Sequence, residues 1–369
     1  MSIEIKARAD ATPGAPRPGT AVTVRERWNR AVSGRVLVKD GPYGTEIQAR
    51  KLREDDYRGH LKVNHDQKGN NDLVNLTRPD VIRDIVESYI EAGADILATN
   101  TFNANAISQA DYGLEHMVRE INISAASVIR GAVDAATARD GKQRFVVGAC
   151  GPTNKTLSIS PRVTDPGFRE VTFDGVKHVY REQVDALLDG GVDAILIETV
   201  FDTLNAKAAI MACFEAGDAR RAEVPVMLSL TITDMAGRNL SGQTVEAFWV
   251  SVMHARPLSI GLNCSFGATE LSPYVQALSA VADVPLMVYP NAGLPNDMGG
   301  YDEAPETTAA LVRGWAERGL VNAIGGCCGT TPAHIRAIAE AVRGCPPRAL
   351  PTPAPALRLS GLEAFCLAA

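Results

Sequence analysis

The segment that decides the fold spans residues 321–332 and reads VNAIGGCCGTTP. It opens as a short apolar run, passes through glycines and two adjacent cysteines, and leads into a helical pattern from about Pro332. Neighbouring side chains of a strand point to opposite faces, so Cys327 and Cys328 can reach one metal only where the backbone turns. The flanking glycines permit that turn. The segment therefore predicts a strand, a turn that carries two sulfurs, and a helix.

This strand and helix pattern recurs along the chain. A helical stripe such as the one in residues 79–90 follows each apolar run, and such alternation predicts a parallel sheet. Eight units in a chain of 369 residues favour a closed (β/α)8 TIM barrel. An open, doubly wound sheet is the alternative. The eight runs begin near Val36, Ile96, Phe145, Ala194, Val226, Ser259, Leu286 and Asn322.

The two ends of the chain differ in composition from its centre. Residues 1–34 contain a Pro/Ala-rich patch and no hydrophobic signal core, so we expect an N-terminal extension whose first part is a flexible tail. Residues 35–345 hold the barrel pattern. Residues 346–369 begin with five closely spaced prolines and predict a Pro-rich linker and tail.

Composition narrows the classes of function. The chain is 46% hydrophobic and 22% charged, which is ordinary for a globular protein, and its net charge of −6 gives no reason to expect nucleic-acid binding. No apolar run approaches the roughly 20 residues that span a bilayer, so we expect no membrane association. Seven cysteines without a secretory signal indicate a reducing cytoplasm and a metal or catalytic role.

Three cysteines fall at predicted strand ends, where barrels of this class place their active sites. Cys264 ends the sixth strand, and Cys327 and Cys328 follow the eighth. Three protein ligands with one open position are typical of catalytic zinc, and thiolates suit zinc. We therefore predict that these three cysteines bind zinc and leave one position for a substrate thiol.

Three thiolates give such a site a formal charge of about −1, which makes the metal a poor activator of water. Coordination would instead deprotonate a substrate thiol, whose free pKa is about 8.5. The chemistry expected is attack of a thiolate on an electrophilic carbon. A structural zinc site is one alternative. A role as small buried hydrophobes is the other, and it is the expectation for Cys150, Cys213, Cys345 and Cys366.

Other polar residues also follow predicted strands. Asp40 and Glu198 can bind a substrate amino group, or they can be helix caps or rim salt bridges. Asn291 can lend an oxygen to the metal while substrate is absent, or it can be a turn residue. No glycine-rich phosphate loop follows a strand.

Eight segments carry a resemblance to known proteins: DGPYGT at 40–45, KGNND at 68–72, TNTF at 99–102, GPTN at 151–154, ET at 198–199, GLNC at 261–264, NAGLP at 291–295 and GGCCGTTP at 325–332. Together they resemble the zinc-dependent homocysteine S-methyltransferase family. Within that family, residues 68–72 and 151–154 resemble the homocysteine-binding domain of cobalamin-dependent methionine synthases. The matching segments run in order from about residue 34 to 343.

The resemblance implies a barrel that binds zinc through the three cysteines and L-homocysteine through its sulfur. It places the amino and carboxylate groups of the substrate near Asp40, Gly41 and Glu198. A methyl group would arrive from methylcobalamin, supplied in trans by a corrinoid- or folate-binding domain or protein, and would leave as methionine. The reaction belongs to methionine biosynthesis.

The chain departs from this pattern in two ways. It contains no folate, cobalamin or reactivation domain, which predicts either a piece of a longer protein or a naturally split enzyme. Pro42 and Tyr43 are unusual after the Asp-Gly pair and are expected to alter the pocket wall.

The sequence leaves two other functions open. One is methyl transfer directly from S-methylmethionine or betaine, and the other is a non-catalytic homocysteine-binding or assembly module.

Overall fold

The computed structural model describes residues 22–368 and confirms all eight predicted strands. Each strand is short and buried because both of its faces are covered, one by the barrel interior and one by helices. The strands are β1 (Leu37–Val38), β2 (Ile96–Ala98), β3 (Phe145–Cys150), β4 (Ala194–Val200), β5 (Val226–Leu230), β6 (Ser259–Asn263), β7 (Leu286–Tyr289) and β8 (Ala323–Ile324).

The eight strands form a (β/α)8 barrel, as the alternating pattern predicts. They pair in parallel in the order β1-β8-β7-β6-β5-β4-β3-β2. The last seam, between β1 and β2, is joined by a parallel bridge between Lys39 and Ile96 and by the hydrogen bond from Asp40 N to Ile96 O (2.9 Å). The open sheet is therefore not formed.

Helices surround the barrel and connect successive strands. Several begin at a residue whose side chain caps them: Asp202, for example, accepts hydrogen bonds from the backbone N–H groups of Leu204 and Asn205 at the start of the helix Thr203–Arg220. The helices are α1 (Val24–Gly34), α2 (Tyr43–Ala49), α3 (Glu54–Arg58), α4 (Val74–Thr77), α5 (Pro79–Glu91), α6 (Ala106–Gln109), α7 (Val118–Asp140), α8 (Phe173–Asp189), α9 (Thr203–Arg220), α10 (Val245–Val252), α11 (Ala268–Val281), α12 (Pro305–Glu317) and α13 (Pro332–Ala341).

Helix α1 packs against the N-terminal ends of the strands, although it lies within the segment 1–34 expected to be an extension. Trp28 is fully buried, donates a hydrogen bond from Nε1 to Leu258 O (2.8 Å) and meets the Phe145 ring edge-on at 5.3 Å between centroids. A buried indole with a satisfied N–H contributes both apolar area and specificity. The predicted flexible tail falls on residues 1–21, which lie outside the described residues.

The C-terminal segment also packs on the barrel. Strands β9 (Ala356–Ser360) and β10 (Ala364–Ala368) form an antiparallel hairpin against α10. Ser360 Oγ donates to Ala247 O (2.7 Å), and Leu362 O accepts from Thr244 N (3.0 Å). The predicted linker thus includes a folded hairpin. Within residues 22–368, no helix is both long enough and apolar enough to cross a lipid bilayer.

Candidate metal centre and substrate cavity

The three predicted cysteines meet at the C-terminal mouth of the barrel. Cys264 follows β6, and Cys327 and Cys328 occupy the turn after β8. The sulfurs of Cys264 and Cys328 are 3.7 Å apart, and all three sulfurs lie within 4.8 Å of one another. Within residues 22–368, no other three His, Cys, Asp or Glu side chains bring their ligand atoms this close together.

The spacing of the sulfurs fits a tetrahedral zinc ion. A zinc–sulfur bond of about 2.3 Å places two sulfurs of a tetrahedron about 3.8 Å apart. The separation of 3.7 Å between Cys264 and Cys328 matches that value. All three cysteines are only partly buried, so a further ligand has room to approach.

The backbone around the sulfurs adopts unusual conformations. Cys264 and Ser265 both have positive φ, 62° and 60°, which non-glycine residues seldom adopt. Gly329 has a φ of 79°, and a Cβ there would lie 2.3 Å from Tyr301 Cβ. Such strain concentrates at functional sites, and here it turns the chain sharply where the sulfurs must converge.

The side-chain amide of Asn263 contacts the cysteine cluster. Its Nδ2 donates to Thr199 Oγ1 (2.8 Å) and lies 3.8 Å from Cys327 Sγ. Its Oδ1 accepts from Ser229 Oγ (2.6 Å) and from Thr199 N (3.1 Å), which fixes which end of the amide faces the sulfur. Hydrogen bonds of this kind tune the ligands of a metal.

In the absence of a cation, the pKa values of the neighbouring thiols shift in opposite directions. Hydrogen bonding to Cys264 and Cys328 raises the pKa of Cys327 well above its usual value. As an acceptor from Cys264 and Cys327, Cys328 has a lowered pKa. Three thiolates this close repel one another, so a bound divalent cation is needed to hold all three deprotonated.

A cavity of about 240 Å³ opens beside the sulfurs. Its wall combines the three cysteines with polar and aromatic side chains from the ends of other strands, which is typical of a small-molecule site. Among the residues that line it, away from the sulfurs, are Lys39, Gly41, Tyr43, Asp72, Glu198 and Tyr289.

A buried ionic network forms the floor of the cavity. Lys39 Nζ donates to Asp40 Oδ1 (2.8 Å) and lies 4.6 Å from the centre of the Tyr289 ring. The Tyr289 hydroxyl donates to Glu198 Oε2 (2.9 Å). Burial raises the pKa of Glu198, against the opposing effects of the Lys39 charge and the Tyr289 hydrogen bond. Burial favours the neutral amine of Lys39, but Asp40 and Glu198 outweigh it and raise its pKa.

The predicted substrate residues do not all face the cavity. Glu198 and Gly41 line it, and a Cβ at Gly41 would meet the Tyr89 hydroxyl at 2.7 Å. The Asp40 carboxylate is fully buried behind the wall, where it also accepts from Ala98 N (2.8 Å). Asp40 thus faces Lys39 and the backbone instead of the substrate space.

Asn291 lies beside the cysteine turn. The backbone of the next residue donates to Cys328 O (2.9 Å), and Asn291 Nδ2 is 3.5 Å from the Tyr301 hydroxyl. Asn291 Oδ1 is buried and has no hydrogen-bond partner within the described residues. A buried oxygen of this kind is costly and fits an unfilled ligand role. The expectation that Asn291 lends an oxygen to the metal stays a prediction.

Sequence reasoning missed four residues of this site: Lys39, Asn263, Tyr289 and Tyr301. Lys39, Asn263 and Tyr289 lie at the ends of apolar strands, and each contacts a residue from another strand. The one available signal was a lysine directly after the apolar run of residues 36–38, beside an aspartate. Pro42 and Tyr43 line the cavity as expected, and the Tyr43 hydroxyl has no partner among residues 22–368.

Comparison with known proteins agrees with this geometry. The family model described as homocysteine S-methyltransferase matches residues 37–342. The chain belongs to the homocysteine S-methyltransferase family. Members of this family transfer a methyl group to homocysteine, and the match covers all eight barrel strands.

Solved structures support the same fold. The metallated form of the homocysteine methyltransferase MmuM from Escherichia coli is 24% identical, with a TM-score of 0.64, over 83% of this chain and 96% of that chain. Its oxidized form is 23% identical, with a TM-score of 0.66, over 85% of this chain and 99% of that chain. At sequence identities of 23–24%, the similarity to these structures establishes a shared fold only.

Proposed function

We propose that this protein methylates the thiol of L-homocysteine to give L-methionine, with zinc bound by Cys264, Cys327 and Cys328. The observation that carries the proposal is the convergence of three sulfurs, within 4.8 Å of one another, on the wall of a cavity that also exposes an acidic and a basic side chain. Family membership supports homocysteine as the methyl acceptor.

Zinc, when bound, would supply a positive charge that keeps the substrate sulfur as a thiolate at neutral pH. The chain's own residues bind and orient the rest of the substrate. Glu198 accepts hydrogen bonds from the substrate ammonium, and the Tyr289 hydroxyl holds that carboxylate in place (2.9 Å). The N–H of Asn263 near Cys327 reduces the charge density on a ligand sulfur.

The transfer itself is a single displacement. A bond forms between the thiolate sulfur and the methyl carbon while the bond from that carbon to the donor breaks. The electron pair of the broken bond stays with the donor. The chain contributes mainly orientation and an activated sulfur, and holding two reactants in line lowers the barrier substantially.

We propose methylcobalamin, carried by a separate corrinoid- or folate-binding domain or protein, as the methyl donor. Support comes from residues 68–72 and 151–154, whose sequences resemble the cobalamin-dependent branch. Asn71 and Asp72 of the first segment line the cavity, where a donor must approach the sulfur.

We also propose a cytoplasmic location, because all seven cysteines, each within residues 22–368, are free thiols.

A methyl-transfer assay combined with metal analysis tests the proposal. Zinc-loaded protein is incubated with homocysteine and, in separate reactions, free methylcobalamin, S-methylmethionine or betaine, and methionine is measured. We expect methionine from methylcobalamin in the wild type and none in Cys327→Ala or Cys328→Ala, with Cys366→Ala as the matched control at an exposed cysteine. Methionine from only one of the other donors would reassign the donor. Homocysteine binding without any product would indicate a binding module.

A further inference from the structure

We infer that Lys39 binds the α-carboxylate of the substrate and thereby selects thiols that are α-amino acids. The inference rests on the proposed function, because it assumes that homocysteine occupies the cavity. Lys39 follows β1, and its side chain is only 5% exposed yet forms part of the cavity wall. Within the described wall of this cavity it is the single basic side chain.

The ammonium group of Lys39 has one N–H available to a ligand. It carries three N–H groups and no acceptor. One bonds Asp40 Oδ1 at 2.8 Å, and the group lies over the Tyr289 ring at 4.6 Å from its centre. These two partners leave one N–H for a ligand. A carboxylate is the group that best satisfies a desolvated ammonium.

Lys39 and Glu198 are placed to receive the two charged ends of one amino acid. Both contact Tyr289, Lys39 at the face of the ring and Glu198 at the hydroxyl. A zwitterion between them produces alternating charges along the floor: Asp40 negative, Lys39 positive, substrate carboxylate, substrate ammonium, Glu198 negative. Such alternation offsets the cost of desolvating each charge.

The buried position of Asp40 strengthens this assignment. Its carboxylate is 0% exposed and bonds Lys39 and Ala98 N, so it holds the ammonium from behind. Pairing with Asp40 alone would not require Lys39 to reach the cavity. Lys39 nevertheless lines the cavity, whereas Asp40 does not.

The binding of three thiols that differ in their charged groups tests for the contact between Lys39 and the carboxylate. Homocysteine has both charged groups, 3-aminopropane-1-thiol lacks the carboxylate, and 4-mercaptobutyrate lacks the amino group. Dissociation constants are measured by calorimetry on the zinc-loaded full chain. We expect the wild type to bind homocysteine roughly 10- to 150-fold more tightly than 3-aminopropane-1-thiol, the range for a hydrogen bond to a charged group.

In Lys39→Met that ratio is expected to fall below about threefold, because homocysteine binding weakens while binding of 3-aminopropane-1-thiol hardly changes. Glu198→Gln is the matched control at the other end of the substrate. It should reduce the preference for homocysteine over 4-mercaptobutyrate and leave the preference over 3-aminopropane-1-thiol intact. This split distinguishes contact with the carboxylate from general damage to the pocket.

Lys39→Met leaves the buried Asp40 without its partner, so folding is checked by thermal melting. The double variant Lys39→Met, Asp40→Asn removes the whole ion pair and provides a second test of the same ratio. Retention of the wild-type ratio in whichever variant folds overturns the inference while the proposed function stands. If the zinc-loaded wild type binds none of the three thiols, the proposed function fails and the inference fails with it.

Discussion

The side-chain amide of Asn263 lies 3.8 Å from the sulfur of Cys327 and is held there by Thr199 and Ser229. Because Oδ1 accepts from both neighbours, only Nδ2 can face the sulfur. The amide therefore stabilises a thiolate and does not repel it. Asn263 at the end of β6 and Cys327 after β8 are thus joined at the proposed metal site, although β7 separates the two strands.

Asn263→Ala should weaken zinc binding by about 10- to 100-fold, the usual effect of removing an outer partner of a metal ligand. Competition with a zinc chelator measures the change. Ser229→Ala is the graded control, because it removes one bond that orients the amide and leaves the N–H in place. Equal zinc affinity in Asn263→Ala and the wild type would show that the 3.8 Å contact has no effect on the sulfur.

Tyr289→Phe should shift the acid limb of kcat/KM for homocysteine to higher pH. Burial already raises the pKa of Glu198, and the hydrogen bond from Tyr289 opposes that rise. Removal of the hydroxyl raises the pKa further, so Glu198 loses the charge that binds the substrate ammonium at a higher pH than in the wild type. The ring over Lys39 remains. An unchanged pH profile, with activity otherwise intact, would contradict the role given to Glu198.

Asp72 should make the stability of the protein fall as the pH rises. Burial raises its pKa to about 7 from an ordinary 3.8, so the folded state favours the neutral acid. The stabilisation is complete below the unfolded pKa and is lost as the pH rises through about 7. Asp72→Asn keeps the oxygen that accepts from Asn103 N.

Urea unfolding of metal-free protein at pH 5 and pH 8 measures this effect. Relative to Asp72→Asn, the wild type should lose at most about 3 kcal/mol between the two pH values. The comparison between variants removes the contribution of every other titrating group. A difference between the two proteins that does not change with pH would place the pKa of Asp72 near its ordinary value.

Trp28→Ala should destabilise the barrel by about 3–5 kcal/mol, because it empties a fully buried site at the N-terminal ends of the strands. Val163→Ala is the control: its side chain is 98% exposed, and a change within about 0.5 kcal/mol is expected. Urea unfolding measures both. Similar stabilities of the two variants would show that α1 is not part of the cooperative fold.

The sequence predicted the barrel because its strands are continuous apolar runs, and burial on both faces requires that pattern. It also predicted which cysteines meet, since parallel strands bring Cys264, Cys327 and Cys328 to the same rim. The partner of Asp40 was missed. From sequence, Asp40 is a carboxylate at a strand end, and only the three-dimensional structure shows that Lys39 turns it away from the cavity.

The packed ends of the chain were missed for a related reason. Helix α1 is anchored by contacts distant in sequence, above all those of Trp28, whose partners Phe145 and Leu258 lie far along the chain. The hairpin at residues 356–368 does show alternation in β9, where Leu357 and Leu359 point outward. The prolines before it predict a linker, although alternation of this kind favours a strand.

X-ray absorption at the zinc edge tests the central claim most directly, since it counts the sulfur atoms around the metal. In zinc-loaded wild type, three sulfur ligands are expected without substrate and four after addition of homocysteine. Cys264→Ala should lower the count by one or lose the metal, whereas Cys366→Ala should match the wild type. A sulfur count that does not rise with homocysteine, or a wild type that retains no zinc, would contradict the account.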